Sequence, residues 1–547
     1  MTSTDVSLAV DPALLPQDVG TCHALIAQLI DELRKRDGRI EDLEHRMDLL
    51  LRRLYGRTSE KLDPAQLALF DTTPEEPVPE LPLPAACLPP APRPTTATKK
   101  PGHGRRRLPD RLRRVEMIHD LTLAEKDSLG GEGNLLVIGR EETEQLEWEP
   151  SSLYVIRHVQ LTYARREPLP AKATSLDGEP PAPRNVITAR KPPQVIPGGL
   201  PGPGLVAHVA TSKYVDHVPL HRQERQFARH GLLLPRQTTC DWALAGAELL
   251  APLYKLLKGE VLASTVLHVD ATEVKIRDAH QGLKRTGYFW PYVGDDLHPW
   301  TAFDYTPTQC RDGPERFLGD FRGYLHADAH SVYDGLYADG RIVEVGCWMH
   351  ARRGFFDART VDRLRAETAL AYIGRLYAVE RECAERQAAA GRELTREERY
   401  VQILAARQEG ARPVLAEFYH WLEIEAPKLV PKNPVRQAMD YTLRHRAALE
   451  RYTEDGRLQI DNGAAERAIR GIALGRRNWL FCGSERGARA ACVYFSLTAS
   501  CRRHEIDPFR YLRDLFTRLP LLLAETDHRP SDDQLRVLLP GRWQPAS

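Results

Sequence analysis

The chain has 547 residues, with 76 Lys and Arg against 75 Asp and Glu, and nine Cys. This length exceeds one hydrophobic core and predicts several domains, while the balanced charge excludes a globally basic nucleic-acid binder and leaves only local clusters for that role. The Cys residues are not spaced in pairs, no apolar run approaches the ~18 residues of a membrane span, and the N-terminus lacks a basic and apolar leader. These features favour a cytoplasmic, nucleoid-associated protein over a secreted or membrane protein.

Residues 21–55 carry a heptad repeat of apolar side chains with charged residues between them, interrupted by Arg36 and Gly38. This repeat predicts a coiled-coil helix over residues 1–62 and a homo-oligomer formed through it. An amphipathic helix packed on its own domain is the alternative. The apolar positions are Ile26, Leu33, Ile40, Met47 and Leu54 on one line and Leu29, Leu43 and Leu50 on the other.

Residues 63–116 predict a linker followed by a basic arm. Nine Pro between 74 and 94 exclude a continuous helix or central strand and favour an extended linker. Eight Lys and Arg follow within residues 99–114. Many such runs are solvated tails, but we expect Arg105, Arg106 and Arg107 to contact nucleic-acid phosphates.

Two small modules follow in the sequence. Residues 117–200 predict a β-rich module, because apolar and polar side chains alternate over 153–163. No Cys lies between Cys87 and Cys240 to hold a structural zinc, so the module must be held by its own packing or be weakly folded. Residues 201–260 predict helices on both sides of Gly231, and this short turn fits either a helix-turn-helix DNA-binding unit or an ordinary helical hairpin.

Residues 261–357 predict the first part of an α/β core. Strands are expected to end at Asp270, to cover about 288–293 and 301–305, to run into Asp328 and to cover 342–345, with short helices near 314–318 and 331–337. Three antiparallel strands followed by alternating helix and strand is a ribonuclease-H-like order. Residues 358–457 then predict an all-helical insertion, 458–485 the last core helix and 486–547 a C-terminal domain. The fold class is therefore multidomain α/β.

Three carboxylates stand out in this core. Asp270 and Asp328 end strands, and Glu466 lies one turn into a helix that Asp461 and Asn462 can cap. Two strand-borne Asp and one helix-borne Glu suit two oxygen-ligated ions, Mg²⁺ or Mn²⁺. The alternative for Glu466 is a surface helix with a Glu–Arg pair to Arg470. Competing acids are Glu273, Asp278, Asp334, Asp461 and Glu485, of which Asp461 is the main rival.

Segments 268–275, 347–353 and 461–481 resemble the transposases of the insertion-sequence-66 family, which are bacterial DDE transposases. The resemblance runs in order from about Leu25 to about Leu515. It implies metal-dependent DNA strand cleavage and strand transfer at the ends of an insertion sequence, with Asp270 as the bridging ligand. It also implies double-stranded DNA and small accessory proteins of the same element as partners. Relatives usually carry zinc-binding Cys pairs in the β-rich module, and this chain lacks them, so zinc is not expected.

Cations near the acids complete the predicted site. They would form a rim suited to bidentate phosphate contacts, and His350 is a candidate contact for the scissile phosphate. Two other functions stay open: a transposase-derived DNA-binding protein without catalysis, and a ribonuclease-H-like nuclease or junction resolvase. The rim residues are Arg352, Arg353, Arg467, Arg470, Arg476 and Arg477.

Overall fold

The computed structural model describes residues 108, 110, 112–128, 131–149, 152–165, 186–277 and 284–545. The predicted coiled coil of residues 1–62, the Pro-rich linker and the arginines at 105–107 lie outside these residues. The described chain is mixed α/β. Its strands are β1 (Arg113–His119), β2 (Leu135–Glu149), β3 (Ser152–Arg165), β4 (Val186–Thr188), β5 (Val266–Val269), β6 (Thr272–Arg277), β7 (Lys284–Val293), β8 (Thr301–Thr306), β9 (Gly323–His326) and β10 (Ile342–Val345).

The helices of the described residues fall into three groups. Before the main sheet lie α1 (Leu123–Ser128), α2 (Pro203–Tyr214), α3 (Leu220–Arg229) and α4 (Arg236–Leu262). Within and after it lie α5 (Asp312–Leu318), α6 (Trp348–Ala358), α7 (Arg363–Ala388), α8 (Arg396–Ala406), α9 (Arg412–Glu425), α10 (Pro434–Arg444) and α11 (Arg446–Glu450). The last group is α12 (Gly463–Trp479), α13 (Glu485–Arg503), α14 (Pro508–Glu525) and α15 (Asp532–Arg536).

The first sheet is built around β3, which pairs antiparallel with β2 on one side and, on the other side, parallel with β1 and antiparallel with β4. The strand predicted over 153–163 is confirmed within β3. β1 begins inside the segment predicted as an arm, and Arg114 Nε donates to Glu144 Oε1 at 2.9 Å. The end of the basic run is therefore part of the first sheet and does not belong to a free arm. Leu146 and Val155 pack against Leu205 of α2 in a small apolar cluster.

Helices α3 and α4 agree with the predicted helices on both sides of Gly231, which has a φ of 74°. α4 is 27 residues long and buries Leu250, Leu253 and Leu257 beneath the main sheet. Much of α4 is thus a core helix. The helix-turn-helix interpretation stays a prediction.

The main sheet has the order β10–β9–β5–β7, with β6 continuing the line of β5 along one side of β7 and β8 on its other side. β9 is parallel to β5, and β10 is parallel to β9. The strands are confirmed where the sequence predicted them. The helix predicted near 331–337 is shorter, a 3₁₀ turn at Asp334–Leu336.

The first residue of β9 is Gly323, and no larger residue fits at this position. Its φ is 148°, and an added Cβ would lie 2.4 Å from the backbone oxygen of Thr265 next to β5. Glycine therefore allows β9 to lie close against β5. This pairing sets the distance between the strands that end near the candidate site.

Both faces of the main sheet are covered. The neighbouring residues Val266 and Leu267 of β5 join different apolar cores, as side-chain alternation along a strand requires. One core contains α4, α13 and α14, and the other contains α6, α7 and α9 to α11. In the second, Phe418 and Tyr419 are buried and Trp421 packs against this core. Every helix within the described ranges is too short or too polar to span a bilayer.

Candidate active site

The two aspartates follow neighbouring strands at the same register. His268 of β5 pairs with His326 of β9, and Asp270 and Asp328 each lie two residues further along. Because the strands are parallel, their carboxyl ends meet at one edge of the sheet. Asp270 occupies the break between β5 and β6, and Asp328 precedes Ala329, which has a left-handed φ of 57°. The structure thus brings both aspartates to one edge.

Asp270 is half-buried, and its Oδ1 accepts a hydrogen bond from Ala271 N at 2.7 Å. Burial is the main reason that the pKa of Asp270 is raised to about 7 from its ordinary value. The carboxylates of Asp328 and Glu466 also raise this pKa, while the Ala271 hydrogen bond and Arg353 oppose the rise. Three acids from β5, β9 and α12 therefore act on one another electrostatically.

Glu466 lies one turn into α12 and faces His350 of α6. Its Oε1 is 4.0 Å from His350 Nδ1. Both atoms are buried and have no hydrogen-bond partner among the described residues. The predicted pair with Arg470 is not formed within the described part of the chain, and Arg470 is exposed. The Glu466–Arg470 ion pair that the surface-helix alternative requires is therefore absent from the described residues.

Asp461 caps the helix, as predicted, but Asn462 does not. Asp461 Oδ1 accepts from Gly463 N at 2.9 Å, and its Oδ2 accepts from the Tyr377 hydroxyl at 2.9 Å. The side chain of Asn462 turns instead toward the sheet, so the capping prediction for Asn462 was wrong. The reason is that the Asn462 side chain makes its hydrogen bonds to two residues of β5 instead of to the N–H groups of the helix start.

Asn462 is fully buried and ties three elements of the site together. Its Nδ2 donates to Val269 O at 2.7 Å, and its Oδ1 lies 3.1 Å from His268 Nδ1. Its backbone N donates to Cys347 Sγ at 3.2 Å. Asn462 therefore joins the start of α12 to β5 and to the residue before α6. Sequence reasoning missed this role.

A stacked pair of buried histidines lies beneath the aspartates. The rings of His268 and His326 are 4.7 Å apart and 6° from parallel. Burial lowers the pKa of both, that of His268 to about 4. His326 Nε2 lies 2.7 Å from Gln459 O. This neutral pair supports the strands that end at the aspartates.

Cys347, His350 and Glu466 place one possible ligand atom each within 4.8 Å of one another. Burial raises the pKa of Cys347 to about 11, so its thiol is neutral at pH 7, whereas metal binding needs the thiolate. Cys347 and Trp348 are buried in the core. Carboxylates are therefore the better donor set here.

The predicted arginine rim is only partly assembled at the acids. Arg353 is close enough to Asp270 to lower its pKa. Arg352 is exposed, with its guanidinium 5.6 Å from the centre of the Phe356 ring. Arg476 donates to the backbone oxygen of Glu273. The remaining rim residues are exposed: Arg467, Arg470 and Arg477.

The competing acids differ from the three central ones. Glu273 and Asp334 are exposed. Glu485 forms ion pairs with Arg285 and Arg489. Asp278 lies outside the described residues. Asp461 is half-buried like Asp270 and Asp328, but both of its oxygens already accept hydrogen bonds.

Comparison with known proteins places the chain among transposases. Residues 198–490, more than half of the chain, match the model described as Transposase IS66 family. Residues 42–117 match Transposase C of IS166 homeodomain, and residues 496–540 match the IS66 C-terminal element. The chain belongs to the IS66 transposase family.

Similar proteins occur in Sinorhizobium fredii (strain NBRC 101917 / NGR234). The uncharacterized protein y4hP is 31% identical over 440 residues, covering 76% of this chain and 73% of the relative. The uncharacterized protein y4qI is 29% identical over 398 residues, covering 70% and 69%. The uncharacterized protein y4jD is 27% identical over 426 residues, covering 75% and 77%.

Proposed function

We propose that this chain is a DDE transposase that cleaves DNA at the ends of its insertion sequence and transfers the strands to a target. The observation that carries the proposal is that Asp270 and Asp328 follow neighbouring parallel strands at one edge of the main sheet, and that the Glu466 carboxylate of α12 acts on Asp270 electrostatically. The strand order and directions of that sheet support the ribonuclease-H-like core that the proposal assumes. A helical insertion separates its last strand from α12.

The three carboxylates fit a divalent metal site. The Glu466 Oε1 has no partner among the described residues, and the carboxylates of Asp328 and Glu466 add to the effect of burial in raising the pKa of Asp270; both observations support a cluster of acids that a cation would stabilise. Asp270, Asp328 and Glu466 would hold two Mg²⁺ or Mn²⁺ ions. Such ions, when bound, supply activation of water or a 3′-hydroxyl and stabilisation of the leaving oxygen.

The remaining residues of the site have supporting roles in this proposal. Arg353 neutralises charge beside Asp270 and is placed to hold a DNA phosphate. His350 faces Glu466 and is a second candidate contact for the scissile phosphate. Asp461 is weaker than Glu466 as a ligand, because both of its oxygens already accept hydrogen bonds.

The wider proposal follows from the family. Double-stranded DNA is the partner, and the protein acts in the cytoplasm at the nucleoid, as a homo-oligomer through residues 1–62 and with small accessory proteins of its element. A transposase-derived DNA-binding protein without catalysis is less favoured, because the acid trio is complete. A plain nuclease is less favoured, because the segments before and after the core also match transposase models.

The test is a reaction with duplexes that carry the inverted repeats flanking the gene, in Mg²⁺ or Mn²⁺. We expect cleavage at the repeat ends and joined products with a target duplex. Nicks without joined products would indicate the nuclease. Binding without cleavage would indicate the DNA-binding derivative.

A further inference from the structure

A second cationic site lies behind α12. It is a cavity of about 390 Å³ between the first turns of α12, the end of α13, the start of β5 and the helical insertion. Ala464 and Ala468 of α12 line it, and Glu466 does not. Residues two positions apart on a helix point about 200° from each other. The cavity is therefore on the opposite side of α12 from the candidate catalytic acids.

Four guanidinium groups converge on this cavity: Arg457, Arg467, Arg502 and Arg503. Arg457 is paired with Asp455 at 2.6 Å. Arg503 donates to the backbone oxygens of Gly294 at 2.9 Å and Trp300 at 3.2 Å. In the part of the chain that the structure describes, Arg467 and Arg502 have neither an ion pair nor a hydrogen bond.

The acidic residues of the cavity do not balance these cations. Asp295 is already engaged, because it accepts from Thr265 N at 2.7 Å and from His298 N at 2.9 Å. Asp296 is exposed at the rim, with the Tyr400 hydroxyl 3.4 Å from its Oδ2. Burial lowers the pKa of Arg503, although the carboxylates of Asp296 and Asp295 oppose this, and the cavity is lined by four Arg against these two Asp. The cavity thus has an excess of positive charge.

We propose that this cavity binds a phosphate group. Arg467 and Arg502 have free donors in the planar geometry that matches phosphate oxygens. The N-terminal turn of α12 forms one wall and adds the positive end of its dipole. The phosphate comes either from a DNA segment away from the scissile bond or from a free phosphorylated molecule. In both cases the bound group contacts the helix that carries Glu466.

The experiment is calorimetric titration of the full-length protein with inorganic phosphate at constant ionic strength. Arg467→Gln and Arg502→Gln remove one free guanidinium each, and Arg510→Gln is the control, since it changes an exposed Arg on α14 outside the cavity. We expect wild type and Arg510→Gln to bind phosphate alike and each cavity variant to bind at least about tenfold more weakly. Unchanged melting temperatures will show that the variants fold.

Binding of a random-sequence duplex at several salt concentrations identifies the source of the phosphate. A salt slope lower by about one unit in Arg502→Gln assigns it to the DNA backbone. Unchanged DNA binding, together with lost phosphate binding, assigns it to a free phosphorylated molecule. The proposal is overturned if wild type does not bind phosphate or if all variants bind it equally. The titration needs no element-end DNA, so its failure is separate from a failure of catalysis.

Discussion

Replacing Asp270 by Asn should stabilise the metal-free protein in a pH-dependent way. The pKa of Asp270 is raised from 3.8 to about 7 in the folded chain, mainly by burial. Between these two values the unfolded chain releases a proton that the folded chain retains, so stability falls as pH rises through this window and is constant above it. The neutral amide has no such proton to lose.

The magnitude follows from the same pKa shift. The ionised carboxylate is expected to destabilise the fold by at most about 4 kcal/mol at pH 8 and about 1.5 kcal/mol at pH 5. The amide oxygen of Asn can still accept the hydrogen bond from Ala271 N. We therefore expect Asp270→Asn to raise the free energy of unfolding by about 2–4 kcal/mol at pH 8 and by less than half of that at pH 5.

Urea unfolding in EDTA, followed by tryptophan fluorescence, measures this difference, because Trp290 and Trp348 are buried in the two cores. Mg²⁺ should stabilise wild type more than Asp270→Asn, since the variant lacks one ligand. Glu273→Gln is the control: Glu273 is exposed, and its loss should change stability by less than about 0.5 kcal/mol. If Asp270→Asn changes the free energy of unfolding equally at pH 5 and pH 8, the pKa of Asp270 is not raised by folding.

Three further predictions concern other parts of the chain. Asn462→Ala should lower the free energy of unfolding by about 2–4 kcal/mol, because it leaves the buried Val269 O and His268 Nδ1 unpaired; a change below about 1 kcal/mol in urea unfolding would contradict this. Neutralising the three arginines at 105–107 should weaken binding to all duplexes alike and reduce the salt slope by about 0.9 per lost contact. An unchanged slope would show that these arginines do not contact phosphates. Replacing Leu43 and Leu50 together by Asp should reduce the oligomeric state seen by sedimentation, whereas a monomeric wild type would rule out the coiled coil.

The local patterns of the sequence predicted the elements of the main sheet well. Strand and helix periodicities depend on near neighbours, and β5, β8 and β10 lie where those periodicities placed them. Asp270 and Asp328 could be paired in advance for the same reason, since each ends a recognisable β-type run.

Contacts between distant residues could not be predicted in this way. The partner of the Asn462 amide is Val269, 193 residues away, so only a local capping role was visible in the sequence. Arg114 was assigned to a free arm because its partner Glu144 lies 30 residues further on. Arg467 follows Glu466 directly, yet the packing of α13 and the insertion around α12 directs it into a different cavity.

Cleavage of element-end DNA by Glu466→Gln is the most direct test of whether Glu466 belongs to the catalytic site. Glu485→Gln is the matched control, because Glu485 is an acid on the next helix that pairs with Arg285 and Arg489 instead of the acid cluster. The account predicts that Glu466→Gln binds DNA and unfolds like wild type but cleaves at least about 100-fold more slowly, while Glu485→Gln retains most of the activity. Full cleavage by Glu466→Gln would contradict the account, exclude Glu466 from the site and leave Asp461 as the next candidate.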